Sequence, residues 1–491
     1  MHDSQQKSNG ILSGLFWKIL ERFGVQGTSF VLQLILARLL APELYGDLSL
    51  MIIFVTLANV FIQTGFNTSL VQNKDVTEED YSSVFWVSLG ISVLLYLVIF
   101  LAAPAIAAFY RMPNIIRPLR VLALMLLPGA LNSVQLAKVS REMDFRKVFT
   151  SNIFGIVFAG AAGIVTAMLG GGLWALVIQN MLNVTVACLV MSVTLQWRPQ
   201  LVCNLKRVAV LFRFGWKLLV STLLNTLEDN LYSLVIGKKY DSGTLAYYNR
   251  GMQFPQFIIN AVCGTLQSVM LPAMAAEQED LSRVKDLAKR SIVLSSYVVF
   301  PMMAGLAAVA TPLTRLLLTE KWLPAVPYMQ VNCFAYAFYT IHICNLQAIN
   351  AVGRSDWFLK LEIIKKIYGF GLLAVAVICF DSPMAIAMTG AVSTCIGWFV
   401  NAFPNKKLIG YTFREQLTDL MPLIAMAILM CGCVLLTGYG CRAAQLPDFV
   451  TLVVQIFAGV AVYLLLSVIF RPYPYRVAME TASNFLKKKK G

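Results

Sequence analysis

The stretch Phe214–Tyr240, FGWKLLVSTLLNTLEDNLYSLVIGKKY, is long and apolar enough to cross a bilayer, yet it carries Glu228 and Asp229 near its middle. A carboxylate is costly in hydrocarbon, so it usually faces a hydrated cavity or a partner. On a helix, one face of this stretch carries Lys217 and, from one turn later, four polar residues at helical spacing: Ser221, Asn225, Glu228 and Tyr232. The stretch therefore predicts a membrane-spanning helix with a polar stripe.

A second copy of this stripe lies near the start of the chain. A constant offset places Trp17 and Lys18 on Trp216 and Lys217, and the same offset carries a further polar set onto the stripe: Arg22, Gln26, Ser29 and Gln33. The two stretches therefore predict two polar-faced helices, one in each half of the chain.

The repeat extends beyond these two stretches. Asn59 and Asn260 correspond at nearly the same offset, and the spacing of Asn132 and Arg141 recurs later in the chain, at Asn345 and Arg354. Each half holds six apolar segments, so both halves enter the membrane from the same side and are related by an axis along its normal. We expect the two polar helices to face a shared interior, with substrate near the midplane.

Composition defines the class of protein. Of 491 residues, 58% are hydrophobic and 13% are charged, and many apolar runs are about 20 residues long. The first ten residues are polar, and the first apolar run is too long for a signal peptide and lacks a cleavage pattern, so we expect it to remain in the mature protein. The chain is predicted to be an all-α polytopic membrane protein, and its ten cysteines to be free thiols.

Hydropathy predicts about 14 transmembrane helices, arranged as two pseudo-symmetric six-helix lobes followed by two C-terminal helices. The predicted domains are an N-lobe at 1–200, a C-lobe at 201–405 and a C-terminal helix pair with a basic tail at 406–491. The predicted spans are 15–40, 48–71, 84–109, 119–137, 150–169, 173–195, 214–237, 252–275, 291–311, 328–351, 361–380, 383–403, 420–439 and 449–470.

The basic residues between these spans predict the orientation. With the N-terminus inside, about three quarters of the 40 Lys and Arg residues fall on the inner side, as the positive-inside rule requires. Both termini are therefore predicted to be cytoplasmic. This distribution also accounts for the net charge of +15, because basic loops meet anionic lipid headgroups, and it makes a nucleic-acid partner unnecessary.

Local motifs resemble a known family, the Wzx-type polysaccharide-transport flippases of the multidrug, oligosaccharidyl-lipid and polysaccharide exporter superfamily. The similarity covers nearly the whole chain and is closest to the colanic acid type of exporter. It is carried by LARLLAPELYG (36–46), REMDFRK (141–147), FRFGWK (212–217), LAYYNRG (245–251), TEKWLPAVPYMQV (319–331) and AVGRSDW (351–357).

The resemblance implies a flippase that moves a polyprenyl-diphosphate-linked oligosaccharide across the bacterial cytoplasmic membrane for O-antigen, capsule or exopolysaccharide synthesis, by alternating access between the two lobes. A polysaccharide polymerase and other assembly proteins are further candidate partners. The alternative is a cation-coupled small-molecule antiporter of the multidrug branch. No Walker loop, HExxH or GxSxG motif with a supporting context occurs, so we expect neither enzyme activity nor a metal or organic cofactor.

A large, anionic sugar diphosphate needs a hydrated path lined by cations and hydrogen-bonding groups. The candidate substrate-binding residues are Lys18, Arg22, Gln26, Gln33, Asn59, Lys217, Asn225, Asn260, His342 and Asn345. Lys18, Arg22 and Lys217 lie early in their spans, where long basic side chains also snorkel to the interface, and a membrane histidine often bonds a neighbouring helix.

Glu228 and Asp229 are the candidates for a coupling site that takes up H+ or Na+. They lie about 16 to 18 Å deeper than Lys217 at 1.5 Å per residue, where snorkelling does not reach. A fixed ion pair with a neighbouring span is the structural alternative.

Overall fold

Long apolar runs without water to hydrogen-bond their backbone fold as helices. The computed structural model describes residues 24–73 and 75–488, and all regular elements in that part are helical. The α-helices are α1 Gln26–Leu39, α2 Pro42–Gln72, α3 Glu78–Tyr110, α4 Ile116–Leu122, α5 Leu126–Glu142, α6 Phe145–Met168, α7 Leu173–Leu195, α8 Leu205–Lys239, α9 Ser242–Ala276, α10 Leu281–Leu318, α11 Val326–Ala337, α12 Tyr339–Ala351, α13 Ser355–Cys379, α14 Pro383–Leu408, α15 Phe413–Ala443, α16 Asp448–Phe470 and α17 Tyr473–Lys488. Short 3₁₀ segments occupy Pro113–Ile115, Ala123–Met125 and Glu320–Ala325.

The all-α polytopic class predicted from the sequence is confirmed. Among the described residues, 10 helices are long and apolar enough to cross a membrane, and the bent α8 makes 11. The remaining predicted spans differ for separate reasons. The first begins outside the described residues, the tenth divides into α11 and α12, and α13 has only residues 367–379 beyond its last charge, about 20 Å of helix. The count of 14 stays a prediction.

The chain divides into two compact units, Met1–Ala246 and Tyr247–Gly491. In the first unit α8 packs along α2, α5 packs against α2, and α6 forms a tight antiparallel pair with α7. In the second unit α10 is central and packs against α11, α12, α15 and α16. The unit boundary lies within α9, whereas the repeat places the lobe boundary before α8. The repeat-based domains at 1–200, 201–405 and 406–491 stay a prediction.

Two prolines inside helices of these units are compensated from a neighbouring helix. Proline has no N–H, so the carbonyl four residues earlier loses its helical partner, a costly loss in hydrocarbon. Pro104 frees the carbonyl of Phe100, which accepts from Arg120 Nε at 3.1 Å. Pro301 frees the carbonyl of Tyr297, which accepts from Tyr463 Oη at 2.8 Å. In each case a side chain from another helix satisfies the freed carbonyl.

Ion pairs join α15 to one end of α10 and α16 to the other. Lys285 and Lys289, in the first turns of α10, pair with Glu415 at 3.0 Å and Asp419 at 2.8 Å on α15. Arg315, near the other end of α10, contacts Asp448 at the start of α16 at 3.2 Å. These contacts make α15 and α16 an integral part of the second unit.

Candidate functional site

Helix α8 carries four of the predicted site residues, and the structure leaves their side chains largely accessible. Lys217, Asn225 and Asp229 are exposed, and Glu228 is half-buried. Each carboxylate and Asn225 also makes contacts within the protein. An apolar helix that presents an ammonium, an amide and two carboxylates at its surface offers both hydrogen bonds and charge to a polar ligand. Lys217, Asn225 and Asp229 thus lie at the surface of α8, and their role as a substrate-binding stripe stays a prediction.

A bend in α8 lies just before Lys217, the first residue of this stripe. The segments Leu205–Arg213 and Gly215–Lys239 meet at 58°. Ser69 Oγ of α2 donates to the carbonyl of Leu211 at 3.0 Å, immediately before the bend, and so provides a partner where the helix is disturbed. Lys217 follows the bend by one turn, at the start of the long segment.

The short segment before the bend is held by an ion pair. Arg207 donates to both oxygens of Asp80, from Nε at 2.8 Å and from Nη2 at 2.6 Å. The Asp80 side chain is only 4% exposed, and this bidentate contact provides its charge partner. Asn204 caps the helix through Arg207 N at 3.3 Å. The base of α8 is thus anchored to α3.

The predicted stripe of the first span lies partly outside the described residues. Lys18 and Arg22 fall in that part, so their contacts to a substrate stay a prediction. On α1, Gln26 is exposed, and Gln33 is half-buried and donates to Ser29 Oγ at 3.4 Å. Helix α1 packs against α6 of the first unit.

Asn59 lies on α2 at its contact with α5. Its Oδ1 atom is buried and makes no hydrogen bond among the described residues. A Cβ at Gly129 of α5 would be 3.6 Å from this oxygen, an ordinary van der Waals contact, so the oxygen lies directly against α5. A buried acceptor without a donor costs free energy, which a water or a ligand hydroxyl at this point would recover.

Predicted residues of the second unit differ in accessibility. Asn260 is exposed on α9 and has contacts of its own. His342, on α12, is half-buried, and its Nδ1 lies 3.1 Å from Asn401 Nδ2 on α14. An amide nitrogen is a donor, so this geometry makes His342 Nδ1 the acceptor. His342 thus has the interhelical hydrogen bond that a membrane histidine usually makes.

Asn345 is 1% exposed and belongs to a buried polar cluster that joins α12, α14 and α15. Gln416 Nε2 donates to Asn345 Oδ1 at 2.8 Å, and Asn405 Nδ2 donates to the same oxygen at 2.8 Å. Asn345 Nδ2 and Trp398 Nε1 both donate to Gln416 Oε1, at 3.1 and 2.9 Å. We call Asn345, Asn405, Gln416 and Trp398 the amide cluster. A substrate role for Asn345 stays a prediction that requires a conformation in which this cluster opens.

The amide cluster and Asn401 contain residues that sequence reasoning did not select. Asn401, Asn405 and Gln416 are each fully buried polar residues in or beside predicted spans. Polar residues in such places mark interhelical contacts or sites, so their position was a usable signal. Because these residues lie far along the chain from their partners Asn345 and His342, the sequence alone did not indicate which residues are in contact.

Several of the motifs that suggested the family serve helix junctions. A Cβ on Gly46 would lie 1.8 Å from Ser242 O, and one on Gly251 would lie 2.7 Å from Tyr328 Cβ, so both glycines permit close backbone approach. In AVGRSDW, Gly353 has a φ of +75°, and Arg354 forms a bidentate pair with Asp356 at 2.8 and 2.9 Å. That guanidinium lowers the pKa of the Asp356 carboxyl to about 2.

Comparison with known proteins places these features in a family. A family described as polysaccharide biosynthesis protein matches residues 35–327. The chain is 27% identical to the succinoglycan biosynthesis transport protein ExoT of Rhizobium meliloti, over 91% of this chain and 89% of that protein. It is 25% identical to the teichuronic acid biosynthesis protein TuaB of Bacillus subtilis, over 88% of each. It is 22% identical to the lipopolysaccharide biosynthesis protein WzxC of Escherichia coli, over 83% of this chain and 84% of that protein.

Two solved structures share the fold. The lipid II flippase MurJ in an inward closed conformation superposes with a TM-score of 0.73 at 14% identity, covering 95% of this chain and 100% of that one. An inward-facing multidrug resistance transporter of the MATE family superposes with a TM-score of 0.59 at 15% identity, covering 80% of this chain and 98% of that one. At these identities the likeness concerns the fold alone.

Proposed function

Because the chain belongs to the family of polysaccharide biosynthesis proteins, we propose that it flips a polyprenyl-diphosphate-linked oligosaccharide repeat unit across the bacterial cytoplasmic membrane. The observation that carries the proposal is the full-length similarity to ExoT, a protein named for transport in succinoglycan synthesis. TuaB and WzxC are named for two other saccharide polymers. What such pathways share is a transport step, and the individual sugar is left open.

The exposed face of α8 suits the headgroup of such a substrate. A diphosphate requires cations, sugar hydroxyls require amide and carboxylate partners, and the polyprenyl tail can stay in lipid. On α8, Lys217 provides a cation for the diphosphate and Asn225 provides an amide for the sugar hydroxyls. Both side chains are exposed. The remaining candidates in this proposal are Lys18, Arg22, Gln26, Gln33, Asn59, Asn260, His342 and Asn345.

The substrate moves from the cytoplasmic to the outer leaflet in this proposal, and both termini are cytoplasmic. The distribution of Lys and Arg between the spans supports the orientation. Reporter fusions at Gly491 and after Arg198 test it, since both are expected to report a cytoplasmic location. An external signal from either fusion contradicts the proposed topology and leaves the substrate class unaffected.

Alternating access between the two lobes is coupled to an ion at Glu228 or Asp229 in this proposal. Uptake of H+ or Na+ neutralises the carboxylate and favours one facing of the cavity, and release favours the other. Because the ion binds the two states with different affinity, its gradient across the membrane then biases the cycle. Both carboxylates make contacts within the protein, which is compatible with a site that exchanges a partner for an ion.

Purified full-length protein in liposomes tests the flippase function. The liposomes contain a labelled polyprenyl-diphosphate oligosaccharide. Labelled molecules that start in the inner leaflet are expected to become accessible to an added glycosidase only when the liposomes contain the protein. Lys217→Gln should slow the exposure at least several-fold, because a charge-assisted contact to phosphate is lost. Lys206→Gln, which removes the same charge from the same helix before its bend, is the matched control. An exposure rate equal to that of protein-free liposomes would refute the flippase assignment.

The coupling role is tested separately with Glu228→Gln and Asp229→Asn, using Asp286→Asn on α10 as a control at an exposed carboxylate. At least one of the first two is expected to abolish polymer export in a deletion strain while protein level stays normal. Lowered protein levels would instead indicate a fixed ion pair, whose basic partner is stranded by the substitution. Full complementation by both variants would rule out these carboxylates as the coupling site.

A further inference from the structure

The C-terminal helix α17 begins directly after the last membrane span. Helix α16 ends with the apolar residues Val468, Ile469 and Phe470, all more than 45% exposed at the surface of the protein. Arg471 adopts a left-handed conformation with a φ of 42°, and Pro472 precedes the first residue of α17, Tyr473. A left-handed residue ends a helix and turns the chain away from its axis. Helix α17 therefore starts at the level where the hydrocarbon of the membrane ends.

The sequence of α17 is strongly amphipathic. At helical spacing one side carries Tyr475, Ala478, Met479, Ala482, Phe485 and Leu486. The opposite side carries Arg476, Glu480, Asn484 and Lys487, together with Tyr473 and Val477. A helix with a compact apolar side and a charged side, placed beside a membrane, is the type that lies in the interface plane.

The described part of α17 touches the protein with only a limited surface. Pro474 is buried, and α17 contacts α10. By contrast Ala478 is exposed and Met479 is 54% exposed, although both belong to the apolar side. Pro474 is thus buried at the start of α17, whereas Ala478 and Met479 on the apolar side are exposed.

Charge identifies the surface that this apolar side meets. Residues 471–491 contain Arg471, Arg476 and Lys487–Lys490 against the single acid Glu480. Clusters of this size next to a membrane span bind anionic headgroups, with about a fivefold gain in affinity for each basic residue near the surface. An apolar side and a basic side on one helix together match the acyl chains and the phosphates of a phospholipid leaflet.

We propose that α17 lies flat on the cytoplasmic leaflet and binds its anionic phospholipids. The apolar side inserts between acyl chains, and the arginines and lysines contact headgroup phosphates. The cytoplasmic location rests on the proposed orientation, whereas the lipid contact rests on the position and amphipathic pattern of α17. A partner protein or the tail of the lipid-linked substrate could also cover an apolar side, and the test below separates them from phospholipid.

Amide hydrogen exchange of the full-length protein in nanodiscs measures this contact without any transport assay. We expect peptides from 473–488 to exchange several-fold more slowly in discs with about one third phosphatidylglycerol than in discs of phosphatidylcholine alone. Raising salt shortens the screening length from about 8 to about 3 Å and should remove much of the difference. Replacing Lys487, Lys488, Lys489 and Lys490 with Gln should abolish the dependence on phosphatidylglycerol.

Two variants that add the same charge complete the test. Met479→Glu places a carboxylate on the apolar side and should raise exchange of α17 to the unprotected level in both lipids. Asn484→Glu places it on the opposite side and should retain most of the protection. Equal exchange in the two lipids, or equal damage by both variants, would overturn the proposal. Protection that arises only with added lipid-linked oligosaccharide or with other membrane proteins would also overturn it, because the occupant would then be the substrate or a protein.

Discussion

The polar stripe of α8 and the amide cluster around Asn345 are both polar regions inside membrane helices, yet they are built in opposite ways. Asn345 is 1% exposed, and its side chain bonds Gln416 and Asn405. Asn225 is exposed on a helix surface together with Lys217 and Asp229. The first arrangement joins three helices, and the second presents polar groups outward. The difference separates amides whose hydrogen bonds join helices from amides whose side chains stay exposed, and only the exposed amides suit the proposed contact with substrate.

Breaking the amide cluster should have the largest effect on stability. Gln416→Leu removes the acceptor of Trp398 Nε1 and a donor to Asn345, which leaves buried polar groups unsatisfied. We expect a loss of about 3 kcal/mol in the free energy of unfolding, measured as a lower midpoint of thermal unfolding in detergent. The control Gln278→Leu, at an exposed position, should change the free energy by less than about 0.5 kcal/mol. Equal unfolding midpoints for the two variants would show that the amide cluster does not contribute to stability.

A double-mutant cycle should show that the cluster acts as a unit. Asn345→Leu and Gln416→Leu each disrupt the same hydrogen bonds, so the combined loss should fall short of the sum of the single losses by about 1–2 kcal/mol. Thermal unfolding of the four proteins gives the coupling free energy. Simple additivity would mean that the two amides contribute independently.

The hydrogen bond to the carbonyl freed by Pro301 in α10 should have a smaller effect. Tyr463→Phe keeps the ring and removes only the hydroxyl that donates to the Tyr297 carbonyl, for an expected loss of about 1 kcal/mol. Tyr297→Phe is the matched control, because it removes the bond from Tyr297 Oη to Ser467 and leaves the capped carbonyl intact. A larger loss in the control than in Tyr463→Phe would argue against the cap. Thermal unfolding is again the measurement.

Substitution in the stripe should have the smallest effect on stability and a clear effect on transport. Asn225→Ala should change the free energy of unfolding by no more than about 0.5 kcal/mol, since the side chain is exposed. If the amide binds the sugar, the lost hydrogen bond should slow flipping about fivefold in the liposome assay. A loss of stability as large as that of Gln416→Leu would show that Asn225 also stabilises the fold.

The helical class and most spans could be predicted from the sequence, because unbroken apolar runs leave the backbone no other way to satisfy its hydrogen bonds. The division of the tenth span at Phe338 and the bend of α8 beside Gly215 could not, because no break in hydropathy marks either position. Ser69 supports that bend from a different helix, far earlier in the chain. Hydropathy contains no information about such contacts.

The polar residues of the candidate site were selected by their helical spacing and by the internal repeat. These patterns indicate which face of a helix a residue occupies, but not whether another helix packs against that face. Asn225 and Asn345 were selected by the same argument, and only one is exposed. The deciding partners of Asn345 are Asn405 and Gln416, which lie 60 and 71 residues away along the chain. Lys18 and Arg22, outside the described residues, remain predictions together with the other substrate contacts.

The hydroxyl of Tyr463 also imposes an order on biosynthesis. Ribosomes make α10 long before α16, so the Tyr297 carbonyl freed by Pro301 waits in the membrane until the last span has been synthesised and inserted. A nascent chain that ends before α16 leaves this carbonyl without its partner, which is costly in lipid. We therefore expect a stalled or truncated chain to be recognised by membrane quality-control proteases at this point.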